Sequence, residues 1–528
     1  MIRISSISVP LSTDLNDLRA ICTGKLGIPG KSLHSVRLSR KAVDARKRSD
    51  IHFTISLDVE ADGEGKLLKR LRNAAHLDRA EYRPPVLTKK PKHRPVVVGF
   101  GPAGMFAALA LAESGAEPIV LERGYDADKR AAVVELYRST GRLDPECNVQ
   151  FGEGGAGTFS DGKLTTGIRD ERIGYVLRRL AEFGAPEEIT FLAKPHIGTD
   201  RLRECVKALR RRVTAMGGEV RFGARFTGFS AENGRISAVE YVQENKIYSL
   251  RTDSVILAAG HSAGDVFELL HSEGISMTQK SFSVGVRIEH LREDIDRAMY
   301  GDMAGHPALR AADYKLAVHL PNGRSLYTFC MCPGGEVIAA SSDEGRICTN
   351  GMSLYARDGV NSNSALLVGV GPSDYGSSHP LAGLYFQKRL EAAAFTAGGC
   401  DHFAPAAAVG SFMSGRLCGF GRVAPSYRPG VREVLPQAYL PDYVCETLRL
   451  GLPEMGRRIQ GFDDADAVLT GIESRSSSPV RIERDDSLQS QSLRGLYPCG
   501  EGAGHAGGIV SAAVDGIKCS EAIINDLM

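Results

Sequence analysis

The sequence predicts an α/β fold: a doubly wound, parallel-sheet domain split in sequence around a mainly β insert and preceded by a small α+β module. Three observations predict it. The apolar run PVVV ends in the glycine turn GFGPAG and continues into a helix rich in small residues. Residues from about 275 to 460 have strand character without a second such turn and helix. The tail LYPCGEGAGHAGGIVSAAVDGIKCSEAIINDL reads as a strand, a glycine loop and a closing helix. A chain of 528 residues exceeds one ordinary core, and at roughly 150 residues per domain it suggests about three.

Residues 1–82 form the first unit, with a strand from Ile2 to Val9, a helical pattern through Leu15, Leu18 and Ile21, and a strand from Ile51 to Val59. Residues 1–95 carry 20 Lys and Arg against 10 Asp and Glu, although the whole chain has a net charge of only +2. The N-terminal module is therefore the basic part of the protein. The Pro- and Lys-rich stretch 83–95, RPPVLTKKPKHRP, cannot build a core and reads as a linker. Residues 96–270 and 465–528 form the split domain, and 271–464 the insert.

Gly99, Gly101 and Gly104 stand at the three positions of a dinucleotide turn, with Pro102 and Ala103 between the last two. The first glycine permits the tight turn, the second lets backbone approach a pyrophosphate, and the third lets helix pack on strand. The anion then meets a helix N-terminus, where free N–H groups and the dipole favour it. Glu122 follows Gly101 by 21 residues, at the end of the next strand, where a carboxylate accepts hydrogen bonds from ribose hydroxyls. Arg123 lies beside it. These features predict a Rossmann-like domain. A second glycine cluster, LLVGVGPSDYGSS, has Asp374 at the third glycine position and reads as strand and turn.

The hydrophobic share of 43% and the charged share of 24% are those of a globular, water-soluble chain. No apolar run approaches the ~18 residues of a membrane span, and the first residues lack a signal peptide's apolar block, so the expected location is the cytosol. Eleven scattered cysteines without paired CxxC motifs read as reduced thiols.

The tail distinguishes between dinucleotides. In GLYPCGEGAGHAGGIVSAAVDG the chain resembles the large group of flavoproteins with a glutathione-reductase-like FAD domain. The resemblance implies that Gly500 and Glu501 approach the ribityl chain, and that Gly507, Gly508 and Ile509 begin a helix aimed at the flavin N1 and C2 carbonyl. A helix N-terminus there stabilises the negative charge of reduced flavin. VILAAG, ending at Gly260, is similar to the strand that closes the nucleotide domain in that group. The segments FGEGGAGTFSDGKL, ILAAGHSAGD, FCMCPGGEVIAASSDEG and GIESRSSSPVRI resemble a bacterial family of FAD-dependent dehydrogenases of undefined substrate.

Gly154, Gly155, Ser160, Asp161, Gly162 and Lys163 lie in a glycine-rich stretch suited either to wrapping pyrophosphate and ribityl groups or to an ordinary loop. Arg475, Ser477 and Arg481 are the candidate catalytic residues, expected beside the flavin ring. An arginine there clamps a substrate carboxylate or makes a structural salt bridge with Glu473 or Glu483. Cys330 and Cys332 alternate in a strand-like run, as a redox pair or as two small buried residues. His261, His290 and His505 are scattered singly, and no metal is assigned. The expected function is hydride transfer between a small organic substrate and FAD, with NAD(P)H as a transient donor and the cofactor carrying the chemistry. The competing reading is a flavoprotein acting on RNA through the basic module; without an RNA-binding motif or aromatic platform, a nucleic-acid partner is disfavoured.

Overall fold

Val96–Val98 is buried on both faces, as a central strand of a parallel sheet must be. In the computed structural model, which describes residues 1–77 and 82–528, it is the middle of five parallel strands. Their order is Leu496–Pro498, Val255–Leu257, Val96–Val98, Ile119–Glu122 and Glu219–Phe222. The split domain is thus closed by a strand that lies nearly 400 residues from the first in sequence. Helix Pro102–Glu113 packs against the last helix, Ile509–Leu527, and glycine makes the crossing close. A Cβ on Gly516 would lie 2.1 Å from the Ala103 carbonyl oxygen, and the Ser520 hydroxyl donates to the Ala107 carbonyl at 3.0 Å. This crossing brings the tail to the first glycine turn. Arg225–Glu232, Arg235–Gln243 and Lys246–Arg251 add a three-stranded antiparallel sheet.

The insert is built on a seven-stranded sheet in the order Ala317–His319, Ser325–Cys332, Asn361–Val370, Phe282–Leu291, Val468–Glu473, Ala404–Ala408 and Val431–Glu433. Its central strand Phe282–Leu291 is buried almost throughout, and helices Ala382–Ala397 and Asp442–Gly456 pack on the same apolar core. The sequence boundary at 465 is corrected here. Strand Val468–Glu473 pairs with Phe282–Leu291 and belongs to the sheet of the insert. A two-stranded ribbon, Met277–Gln279 with Val480–Ile482, links the two sheet systems. The glycine cluster ending in Asp374 is strand Asn361–Val370 followed by a single helical turn, Pro372–Tyr375. The Asp374 carboxylate holds that turn, accepting from the Gly371 amide at 3.0 Å and from Arg324 at 2.6 Å.

The N-terminal module is a four-stranded sheet whose strand order is Leu33–Asp44, His52–Ala61, Ile2–Pro10 and Ala74–His76. The long strand Leu33–Asp44 is an addition to the sequence reading. Its residues are mostly half-exposed, with Arg37, Arg40 and Lys41 among them, so no alternating apolar stripe announces it. Leu15 lies on a turn before the short helix Leu18–Ala20, and Ile21 opens the wider helical turn Ile21–Lys25 that follows. Arg3 and Arg37 both bind the buried Asp58 carboxylate, so part of the module's positive charge is paired internally. Lys41 fastens the module to the split domain through two backbone hydrogen bonds, with Phe191 at 2.7 Å and Ala193 at 2.8 Å. The module boundary drawn at 82 falls beside residues 78–81, which lie outside the described residues. Among the described residues, no helix is long and apolar enough to cross a membrane.

Candidate functional site

The first glycine turn is shaped by contacts that admit no side chain. Gly99 has φ +92°, and a Cβ there would lie 2.4 Å from the Ala258 carbonyl oxygen; a Cβ on Gly104 would lie 2.0 Å from the Gly99 carbonyl oxygen. Gly101 differs. Its φ is −80°, and a Cβ would make one ordinary contact, at 3.6 Å from Gly155 Cα, because its open side faces a cavity. Pro102 follows as the first helical residue, where its missing N–H costs nothing.

Glu122 is buried at the end of its strand and accepts three backbone N–H bonds, from Phe100 at 2.8 Å, Gly124 at 2.9 Å and Gly152 at 2.9 Å. A carboxylate has about four lone-pair sites. Three hold two loops together, leaving about one for a ligand hydroxyl, where the sequence reading gave Glu122 to the ribose alone. Glu122→Ala is therefore expected to lower the stability of the ligand-free protein by about 2–5 kcal/mol, since hydrogen bonds to charged groups contribute ~1.5–3 kcal/mol each and the freed amides partly regain water. Denaturant titration checks this; an unchanged midpoint would show that Glu122 serves the ligand only.

Arg130 organises the second glycine segment, and sequence reasoning missed it. Fully buried on helix Ala127–Thr140, it donates to the carbonyls of Asn148 at 2.9 Å, Val149 at 2.9 Å, Gly152 at 3.2 Å and Glu153 at 2.7 Å. Burial pulls its pKa down to about 10, which leaves it cationic at neutral pH. The segment so held docks on the first turn: the Gly154 amide donates to the Phe100 carbonyl at 2.8 Å, and a Cβ on Gly155 would lie 2.9 Å from Gly101 Cα. Nothing in the helical pattern around Arg130 distinguishes it from a surface arginine.

The third part is the start of the closing helix. Gly508 precedes Ile509 with φ +92°, and a Cβ on Gly507 or Gly508 would meet nothing within 4 Å. The Glu501 carboxylate accepts the Gly508 amide at 3.3 Å. Among the described residues, the amides of Ile509 and Val510 donate to nothing. They are unspent donors at a helix N-terminus.

One cavity of about 1390 Å³ joins these parts and continues along the face of the insert. Gly99, Gly101, Pro102, Ala103, Glu122 and Arg123 line one end; Gly155, Ser160, Asp161, Gly162 and Lys163 line the flank; Gly260, Glu501, Gly507, Gly508 and Ile509 line the region beyond. Four residues named from the sequence stand outside the lining, among them Gly104, whose expected part was to let helix pack on strand. Gly104, Gly154 and Gly500 lie behind the lining: a Cβ on Gly154 would strike Thr158 Oγ1 at 2.0 Å, and the Gly500 amide donates to Asp515 at 2.7 Å. Arg481 is exposed on the linking ribbon and is not part of the lining.

Several lining groups already have partners. Arg123 donates to Glu146 at 3.0 Å and makes two bonds to Asp265 at 3.1 Å while lying over the Phe151 ring. Arg475 makes two 2.8 Å bonds to Glu391 and one 2.8 Å bond to Asp343. Its salt bridge is thus with those two carboxylates, not with Glu473 or Glu483, and it is not a free substrate clamp. Ser477 Oγ accepts from Lys280 at 2.6 Å. Asp161 is a charge hub, with Lys163 at 2.9 Å, Arg357 Nε at 3.0 Å and the Ser353 hydroxyl on one carboxylate. Those cations hold Asp161 well below the usual carboxylate range in spite of burial.

Of the three histidines, His261 lines the cavity, and burial pulls its pKa down. His290 contacts the Phe462 carbonyl at 2.7 Å and His505 the Ile482 carbonyl at 2.9 Å. Cys499, just after strand Leu496–Pro498, comes together with Asp515 and Cys519 of the tail helix. The Asp515 carboxylate there is taken by Arg484, at 2.7 and 3.0 Å, and by the Gly500 amide.

Residues 281–476 match the family described as FAD-dependent protein, C-terminal domain-like, and residues 1–60 match a domain of unknown function. An uncharacterized protein of Clostridium beijerinckii is 46% identical over 529 aligned positions, covering 99% of this chain and 98% of that protein. Among solved structures, the chain is similar to the flavin-dependent brominase Bmp2, with a TM-score of 0.39, 12% identity and coverage of 83% of this chain and 80% of that one. It is also similar to a geranylgeranyl bacteriochlorophyll reductase-like protein of Thermoplasma acidophilum, with a TM-score of 0.36, 14% identity and coverage of 83% and 80%. With nearly its whole length shared, this chain belongs to one family with the clostridial protein, and its residues 281–476 belong to the family described as FAD-dependent protein, C-terminal domain-like.

Proposed function

We propose that the protein is an FAD-dependent oxidoreductase that transfers a hydride between FAD and a small organic substrate, with a glutathione-reductase-like arrangement of the cofactor. The observation that carries this reading is the continuous cavity from the Gly99–Gly104 turn, past the start of the closing helix, to the face of the insert. At about 1390 Å³ it exceeds the ~300–1,000 Å³ of ordinary small-molecule sites, which favours a long dinucleotide with room beside it for a substrate.

The residues present fit such a group. Cβ atoms on Gly260, Gly507 and Gly508 would meet nothing, so their missing side chains open cavity space rather than accommodate packing. In this reading Gly101, Pro102 and Gly155 hold the pyrophosphate, Glu122 offers its remaining lone pair to the adenosine ribose, and Glu501 takes the ribityl chain. The free amides of Ile509 and Val510 would favour negative charge on a flavin ring bound beside them. Bound FAD would supply a two-electron donor and acceptor at its isoalloxazine ring. The protein's part is orientation and electrostatics. Lys163, Ser477 and Arg475 set the polarity of the substrate side, with Arg475 positioned by Glu391 and Asp343 rather than free to bind an anion. NAD(P)H enters this scheme as a transient visitor to the same cavity.

Purified protein is expected to be yellow, with about one FAD per chain, and anaerobic mixing with NADH, NADPH and a panel of small metabolites is expected to bleach the flavin with at least one of them. A colourless chain that fails to take up added FAD would refute the reading.

A further inference from the structure

Strand Ser325–Cys332 runs in register with Asn361–Val370 as far as Phe329, and the register then shifts before Cys332 pairs with Asn363. Cys330 sits at the shift with φ +43°, a left-handed conformation rare outside glycine. Such strain gathers where a local distortion serves a site. The distortion places Cys330 on the wall of the cavity, while Cys332 is fully buried behind it. The Cys332 sulfur reaches back to the Cys330 carbonyl at 3.3 Å. Two cations grip the same segment. Arg287 donates to the Cys330 carbonyl at 2.7 Å and lies 3.8 Å from Cys332 Sγ, and Lys163 donates to the carbonyl of Met331 between the two cysteines.

We propose that Cys330 and Cys332 are a redox-active dithiol that exchanges an electron pair with the FAD of this cavity. The proposal rests on the cofactor reading above. Cys330 is the accessible, reactive thiolate and Cys332 the resolving thiol. In the oxidising direction the Cys330 thiolate and the Cys332 thiol form one S–S bond and release two electrons and one proton. That pair and that proton are what convert oxidised FAD to its anionic reduced form, so the exchange balances without another reactant. The reverse direction reopens the disulfide.

The charges facing the pair support this division of roles. Lys163 and Arg287 are the nearest cations. Asp161 and Arg357 stand behind Lys163; Glu473 stands 3.0 Å from Arg287, and Tyr314 lies nearby. The adjoining Cys332 thiol, together with Lys163 and Arg287, holds Cys330 below the ordinary thiol range, while Cys332 is pushed up by its neighbour and by burial. Such a thiolate is the reactive form at neutral pH. The buried Cys22, Cys147, Cys205 and Cys445 are pushed the other way by burial. The other close pair, Cys499 with Cys519, lies beside the Asp515 carboxylate, and Cys499 is raised.

The test uses the full chain with its FAD. At about pH 6, iodoacetamide is expected to alkylate Cys330 at least ~10-fold faster than the exposed Cys400 and Cys418, read by peptide mass spectrometry. After oxidation with diamide, anaerobic dithionite titration of the wild type is expected to consume twice the reducing equivalents per FAD that Cys332→Ser consumes, with Cys330→Ser behaving like Cys332→Ser. Equal alkylation rates, or equal consumption by wild type and both folded variants, would each overturn the proposal. A chain that retains no FAD sinks the cofactor reading instead. Alkylation and disulfide mapping on the flavin-free chain then decide separately whether the thiol pair is reactive.

Discussion

Gly104→Ala is expected to be the most damaging one-carbon substitution in the dinucleotide turn, removing most of the folded protein, whereas Gly101→Val is expected to fold and lose its flavin. The two glycines lie three residues apart, but their open sides differ. A methyl group on Gly104 would lie 2.0 Å from the Gly99 carbonyl oxygen and 3.3 Å from a Val97 methyl carbon. The obstacle is backbone of the turn itself, which is tied to Glu122 through Phe100 and to Gly154 through the Phe100 carbonyl. Overpacking a core costs about 1–3 kcal/mol where side chains can yield. Here none can, so the cost belongs at or above the top of that range, a large share of the ~5–15 kcal/mol stability of a typical protein. Gly101 has an extended conformation that valine adopts readily, and its open side faces the cavity. Thermal denaturation and flavin content separate the two: full FAD in a folded Gly101→Val protein would remove the pyrophosphate from this turn.

Why that turn was legible in sequence, and much of the remaining site was not, is a matter of distance along the chain. GFGPAG, the helix after it and Glu122 are dictated by local sterics, and the structure brings them together within one βαβ unit. The glycine tail was legible for the same reason. Arg130 was not, because its acceptors are four backbone carbonyls 18 to 23 residues away, and a carbonyl leaves no mark on a sequence. Arg475 was legible as a charge near the site but not as a paired one, since Glu391 is 84 residues away and on another element. The boundary at 465 failed because VLTGIE is an apolar strand that suits either sheet; its pairing with Phe282–Leu291 decides the matter, and pairing is non-local. Cys330 and Cys332 follow the alternation of a regular strand until the register shift, which no residue type announces.

Asp161→Asn is the second large effect, and it links stability to the thiol pair. Asp161 is buried, with Arg357 and Lys163 as its cations, so removing its charge leaves Arg357 nearly buried without a counter-ion. Breaking a buried pair from one side costs ~3–5 kcal/mol; the lower end, about 3 kcal/mol, applies because Lys163 reaches the cavity. The pH dependence has a definite sign. Asp161 is held below its unfolded value near ~3.9, so the stability it supplies is present above that value and is lost as pH falls toward the lower folded value. Wild type should therefore lose stability below about pH 4 more steeply than Asp161→Asn, and the gap between them should narrow with acid. The substitution also frees Lys163 from its carboxylate and removes a negative charge that raises Cys330, so the Cys330 thiolate should persist to lower pH in the variant. Urea titrations from pH 3 to 7 with alkylation at each pH measure both effects. A parallel loss of stability in the two proteins, with unchanged Cys330 labelling, would show that Asp161 is not the ionised partner of these cations.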